Sequence, residues 1–178
     1  TEGGALVEGQ LLADDADDGA ILTFSTDDDV AGFTLNSDGS YTFDPRDEAY
    51  AHLAEGEPQV ITVTYQVADQ FEAVDTKTLT ITVTGTNDAP VAEVAIAAAP
   101  EGGALVEGQL QAADADDGAI LTFSTDDEVA GFTLNSDGSY TFDPKDEAYA
   151  HLAKDVPQEI TVTYQVTDQF GGSDTNTL

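Results

Sequence analysis

Three acidic features recur along the chain, each where the backbone has to reverse. The stretch "ADDADDGA" supplies an Asp-x-Asp pair, Asp15 and Asp17, and its counterpart "AADADDGA" supplies Asp114 and Asp116. Another carboxylate closes a long apolar run, in "VADQ" at Asp69 and in "VTDQ" at Asp168. The remaining feature is a neighbouring amide and carboxylate, Asn87 and Asp88, inside the connector "VTGTNDAPV". Where the copies differ, at Asp14 against Ala113, the Asp-x-Asp pair survives and the longer acidic run does not. Asp and Asn gather at reversals because they bond their own backbone, so each feature alone reads equally well as a solvated turn. Together they suit a hard cation. Calcium takes roughly six to eight oxygens from carboxylates, amides and carbonyls, and a chain without Cys offers no soft thiolate.

Other chemistry fits these residues less well. His52 and His151 have no Cys and no second His nearby to complete a zinc site. In "NSDGS", Thr34 stands where an EF-hand loop needs its first acidic ligand. The Gly-Gly-x-Gly-x-Asp nonapeptide of calcium-binding β-rolls is absent. Paired acids could serve a glycosidase only inside an enclosed pocket. A sequence copied with most residues unchanged seldom encodes one, so no enzyme is expected.

The copying is itself informative. "EGGALVEGQL" begins at Glu2 and at Glu101, and "AGFTLNSDGSYTFDP" at Ala31 and at Ala130, an offset of 99 both times. That period is far longer than the roughly 20 to 50 residues of a solenoid unit and suits separately folded tandem domains. Repeat 1 is expected over residues 1–88 with its first strand lying outside, and repeat 2 over 89–178 with its last strand lying outside. On this reading the chain is a piece of a longer array.

Strands must position the acids. "AILTFS", "GFTLN", "SYTFDP", "VITVTYQV" and "TLTITVT" alternate or run apolar with β-branched and aromatic residues. In "VITVTYQV", Val60, Thr62, Thr64 and Gln66 face one way and Ile61, Val63, Tyr65 and Val67 the other, giving one buried and one wet face. "NSDG", Asn36 to Gly39, predicts a tight hairpin. "DPRDEAYAHLA" is the one helical candidate, with Asp44 as its cap and Pro45 in its first turn. "VAEVAIAAAP" predicts the first strand of repeat 2. Many short strands with turns between them indicate one antiparallel β-sandwich per repeat. The Tyr and Phe residues on these strands are core.

A formal charge of −32, from 36 acidic and 4 basic side chains, excludes nucleic acid as a partner, because no basic stripe neutralises phosphate. An anionic membrane surface would repel such a chain. No apolar run reaches the roughly 18 residues of a membrane helix, and no signal peptide is visible. Without Cys there are no disulfides to staple a small secreted domain, so an extracellular home would require another device, such as metal binding.

The order "TGTNDAPV", a strand, "EGG", "GQLQAADADDG", "DGSYTFDP" and "ITVTYQVTDQFGGSDTNTL" resembles the VCBS repeat, a cadherin-like domain strung along bacterial RTX adhesins. The resemblance covers essentially the whole chain, twice over. More distantly, "TNDAP" is similar to the Asn-Asp-Asn-x-Pro linker of cadherins, though the later Asn is missing. "ADADDG" is similar to their Asp-x-Asp, "VTDQ" to their later Ala-x-Asp, and "EGG" to their early glutamate. Asp44 in "FDPRDE" matches their Asp-Arg-Glu more loosely, its Glu being displaced.

The resemblance implies an all-β fold of two tandem Ig-like or cadherin-like antiparallel β-sandwich domains in an extended rod. It implies a Ca2+ junction fed by Glu2 and Asp44 from repeat 1, Asn87 and Asp88 from the linker, and Asp114, Asp116 and Asp168 from repeat 2. Asp15, Asp17 and Asp69, with Glu101 and Asp143, would be halves of further junctions. The implied role is a structural spacer of a large secreted, surface-attached bacterial adhesin, stiffened by calcium for attachment and biofilm formation. Its partners would be neighbouring repeats of the same monomeric chain, with no nucleic acid and no membrane insertion. The alternative is a calcium-dependent module that binds a carbohydrate or protein. Such modules usually show loops that diverge between copies; here the loops are nearly copied.

Overall fold

The computed structural model describes residues 1–153 and 156–178. Contacts divide the chain into two units, Thr1–Thr86 and Asn87–Leu178. Asn87 and Asp88 therefore fall with the second unit.

Unit 1 comprises β1 (Val7–Gln10), β2 (Thr23–Ser25), β3 (Phe33–Leu35), β4 (Ser40–Phe43), β5 (Pro58–Ala68) and β6 (Val74–Thr84). They form two antiparallel sheets, β1-β4-β3 and β2-β5-β6. The alternation acts as the sequence requires: along β5, Ile61 and Val63 are buried while Val60, Thr62 and Thr64 face water. Phe43 from one sheet meets Ile61, Val63 and Val83 from the other, with Tyr50 and Leu53 closing the cluster. Two sheets sharing one apolar layer make a β-sandwich. Each fully buried side chain of this size contributes about 1.5 to 3 kcal/mol.

The β3–β4 hairpin turns through Asn36–Gly39. Gly39 has a φ of +84°, and a Cβ there would press on the Leu11 carbonyl at 2.9 Å. Asp38 accepts hydrogen bonds from the N–H and the hydroxyl of Ser40, which fixes the reversal. The helical candidate is corrected by the structure. Only Glu48–Tyr50 coils, as a single 3-10 turn, and its cap is Asp47, whose carboxylate accepts from the Ala49 N–H. Asp44 instead binds Arg46. The Tyr50 hydroxyl donates to the Ala31 carbonyl at 2.8 Å, so the buried ring is anchored after one turn and propagation stops.

Unit 2 comprises β7 (Val91–Ala92), β8 (Val106–Gln109), β9 (Ala112–Ala113), β10 (Thr122–Ser124), β11 (Phe132–Leu134), β12 (Ser139–Phe142), β13 (Thr163–Thr167) and β14 (Ser173–Thr177). Its sheets are β11-β12-β8 and β10-β13-β14, with the short pair β7-β9 beside them. The predicted first strand is much shorter than "VAEVAIAAAP". Past Ala92 only isolated backbone bonds persist among the described residues, from Glu93 N–H to Gln111 and from Ala95 N–H to Thr177. The alanines give no continuous apolar row, and Ile96 is 93% exposed.

The two cores consequently draw on different positions of the repeat. Unit 1 buries Val83 of its long β6 over Phe43 and Tyr50. Unit 2 buries Ala92 of β7 over Leu110, Tyr140, Tyr164 and Val166. A cavity of about 1150 Å³ opens in unit 2 among Ile96, Val106, Phe132, Phe142, Tyr149 and Leu152.

Candidate metal centre

The acidic end of unit 2 is assembled from three segments. Asp114 and Asp116 follow β9, and the Asp116 N–H donates to Asp114 Oδ1 at 2.9 Å, closing the Asp-x-Asp reversal. Asp168 follows β13. Its Oδ1 accepts three backbone N–H groups, from Phe170 at 2.8 Å, Gly171 at 2.6 Å and Gly172 at 2.9 Å. The Asn87–Asp88 segment lies across both: Asn87 Nδ2 donates to Asp168 Oδ2 at 2.9 Å, and the Asp88 N–H donates to Asp116 Oδ2 at 3.0 Å.

Covered in this way, Asp116 and Asp168 are 6% and 7% exposed. Carboxylates are seldom so buried unless paired, and no basic side chain pairs with them among the described ion pairs. Asp114 Oδ2 and Asp116 Oδ1 are buried with no hydrogen-bond donor. Loss of solvation, followed by the charges of Asp114, Asp88 and Asp168, pushes the Asp116 carboxyl above its ordinary value, against the pull of the Asp88 N–H. Burial would also raise Asp168, but the Asn87 amide and the three backbone N–H groups outweigh it and hold that carboxyl below the usual range.

Among the described residues, no three Asp, Glu, His or Cys side chains close on one point. The end of unit 2 is therefore a partial shell, open to further ligands. Its chemistry nevertheless fits a hard divalent cation. Buried carboxylate oxygens without a donor cost free energy unless a positive charge offsets them, and an all-oxygen set is what calcium prefers.

The corresponding end of unit 1 has the same local turns without the cover. Asp17 N–H donates to Asp15 Oδ1 at 2.8 Å, and Asp69 Oδ1 accepts from Phe71 and Ala73 at 2.8 Å each. Asp15 and Asp17 are exposed and Asp69 is half-buried. Glu2 lies at the other part of unit 1, 9% exposed. Its N–H donates to Thr84 O at 2.8 Å and its Oε2 accepts from Thr86 N–H at 3.1 Å. The Asp44 carboxylate is taken up by the Arg46 guanidinium, at 2.9 Å to Oδ1 and 3.1 Å to Oδ2, and the Arg46 hydrogen bonds hold its carboxyl below the usual value. Glu101 is exposed and Asp143 half-buried, accepting from Lys145 N–H.

Sequence reasoning missed Gly171 and Gly172. Both matter to the seat: Gly171 has a φ of +96°, and Gly172 packs directly under Asp168 and Asn87. The signal was present as a difference between the copies, "FEAVD" against "FGGSD".

Two sandwiches in tandem, one ending in a buried acidic cluster under an Asn-Asp segment, are a cadherin-like arrangement, and the comparisons agree. The model of the bacterial cadherin-like domain matches residues 1–85 and again 87–178. The chain belongs to that family, a class of extracellular adhesion and spacer modules whose members commonly bind calcium. Solved structures with the same fold include Drosophila N-cadherin EC1-4, at 17% identity and a TM-score of 0.54, covering 95% of this chain and 43% of that one. The Protocadherin GammaB4 extracellular domain matches at 20% identity and a TM-score of 0.51, covering 98% and 31%. The human Desmocollin-1 ectodomain matches at 16% identity and a TM-score of 0.51, covering 90% and 30%. The chain thus spans less than half the length of each of these. No curated protein matches it. Among the described residues no helix is long and apolar enough to cross a membrane.

Proposed function

We propose that the chain is a calcium-stiffened spacer of a large secreted bacterial adhesin of the RTX type, holding an adhesive tip away from the cell for attachment and biofilm formation. The observation that carries this reading is the pair of buried, donor-less oxygens, Asp114 Oδ2 and Asp116 Oδ1, beneath the Asn87–Asp88 segment. Asp88, Asp114, Asp116, Asp168 and the Asn87 amide would hold the ion. Glu2 is assigned to the same junction from the preceding repeat, and Asp15, Asp17, Asp69 and Glu101 to equivalent junctions, on sequence resemblance. Asp44 would join only after leaving Arg46. Bound calcium would supply the positive charge that this acidic end lacks.

The chain's own residues do the rest. The Asn87 and Asp88 hydrogen bonds tie the connector to unit 2, and the Thr86–Glu2 bond ties its start to unit 1. Without cations the clustered carboxylates repel one another, so the connector is held by hydrogen bonds alone. Extracellular calcium modules bind at roughly 0.1 to 1 mM, a range that would order the joint outside a cell and leave it loose inside. Calcium titration followed by calorimetry and small-angle scattering tests the proposal. Heat of binding together with a narrower distribution of interatomic distances supports it; no heat and a distribution indifferent to chelator would refute it.

A further inference from the structure

The two repeats carry the same acids, yet they differ at one position that decides how closely another segment can approach. After Asp168 the loop of unit 2 reads Gln169-Phe170-Gly171-Gly172; after Asp69 the loop of unit 1 reads Gln70-Phe71-Glu72-Ala73. The loop backbone is shared. Asp69 N–H donates to Ala73 O at 3.1 Å and Asp168 N–H to Gly172 O at 3.0 Å. In both loops the aspartate Oδ1 accepts from the residues two and four positions on. Alanine is therefore compatible with the loop itself, as unit 1 demonstrates.

It is not compatible with what unit 2 lays over the loop. A Cβ on Gly172 would overlap Asp168 Oδ2, come within 2.8 Å of Asn87 Nδ2 and within 3.1 Å of the Ala89 Cα. The hydrogen bond from Asn87 to Asp168 runs through the space that a side chain would occupy. Asn87 and Ala89 belong to the connector segment and Asp168 Oδ2 is bonded to it, so none of the three can retreat without lifting the segment.

We propose that Gly172 is the specificity-determining residue for seating an Asn-Asp segment on the acidic end of this repeat. A repeat with Gly here clasps the segment and completes a cation site, whereas one with Ala, as in unit 1, seats it loosely and binds the cation more weakly. Possession of the Asp-x-Asp and the later Asp then does not by itself set affinity. The cation part of this inference rests on the calcium reading above; the seating part does not.

The test uses the intact chain, with G172A and, as a control in the equivalent loop, A73G. The Asn87 side-chain amide is followed by NMR in chelator, and calcium chloride is titrated calorimetrically. Removing a group that orients ligands typically costs about 10- to 100-fold in metal affinity. G172A should weaken calcium by that factor and move the Asn87 amide signal towards that of an exposed asparagine, while A73G changes neither. An unmoved Asn87 signal with unchanged calcium affinity in G172A would overturn the inference, as would equal losses in G172A and A73G. If the native chain gives no calcium heat but G172A still releases the Asn87 amide, the seating role stands and the calcium reading falls.

Discussion

Replacing Asp116 by Asn should change stability in opposite directions with and without calcium. Asp116 is 6% exposed, its Oδ1 has no donor, and the charges of Asp114, Asp88 and Asp168 press on it. Asn keeps the shape and an oxygen to accept from the Asp88 N–H, and it places an N–H₂ among acidic oxygens. In chelator that swap removes one repelling charge and gains a hydrogen bond, about 1 kcal/mol in favour of the variant. With calcium at about 100 times its dissociation constant, the native chain gains about 2.7 kcal/mol. A variant about 10- to 100-fold weaker gains only about 0.4 to 1.4 kcal/mol at the same concentration. The variant should therefore unfold later than the native chain in chelator and earlier in calcium, by about 0.3 to 1.3 kcal/mol in the second case. For a unit of this size about 1 kcal/mol moves the melting temperature by roughly 4 to 8 °C, so urea or thermal unfolding of unit 2 resolves both signs. A difference of the same sign and size in both buffers would refute the reasoning, because Asp116 would then be an ordinary buried acid.

Other expectations follow from the differences between the units. Glu72 has a φ of +70°, where unit 2 has Gly171; Glu72→Gly should stabilise unit 1 by about 0.5 to 1 kcal/mol, read as a raised melting temperature. Phe43 is 1% exposed beneath Val83, whereas Phe142 lines the open cavity of unit 2. Phe43→Ala should cost about 3 to 5 kcal/mol in urea unfolding, and Phe142→Ala clearly less. The Ser40 hydroxyl and N–H hold the Asp38 carboxyl below its ordinary value of 3.8, and Ser139 does the same for Asp137. A lowered folded value contributes stability above the unfolded one and loses it as pH falls through the folded one. Asp38→Asn and Asp137→Asn should thus soften the loss of melting temperature below about pH 4, and an unchanged acid limb would contradict this.

The sandwich was legible because alternation is a direct record of two-faced burial, as at Ile61 and Val63 against Val60 and Thr62. The helix was misread because Asp44 and Pro45 are equally good turn formers, and nothing in the sequence says that Tyr50 will anchor to Ala31 after one turn. The first strand of unit 2 shrank because a row of alanines carries too little apolar surface to hold pairing past Ala92. The acids of the candidate site could be read from type and spacing. What could not be read was that Asp116 and Asp168 would be buried beneath the Asn87–Asp88 segment. That burial comes from the Asn87–Asp88 segment folding onto unit 2, a tertiary event. The loop beneath that segment carries Gly171 and Gly172 where unit 1 carries Glu72 and Ala73.

The most direct measurement is a crystal structure of this chain grown in millimolar calcium. A cation should be bound by Asp114 and Asp116 oxygens at about 2.3 to 2.6 Å, with Asn87 and Asp168 around it. Well-ordered crystals in that calcium showing only water against Asp116 Oδ1 would contradict it.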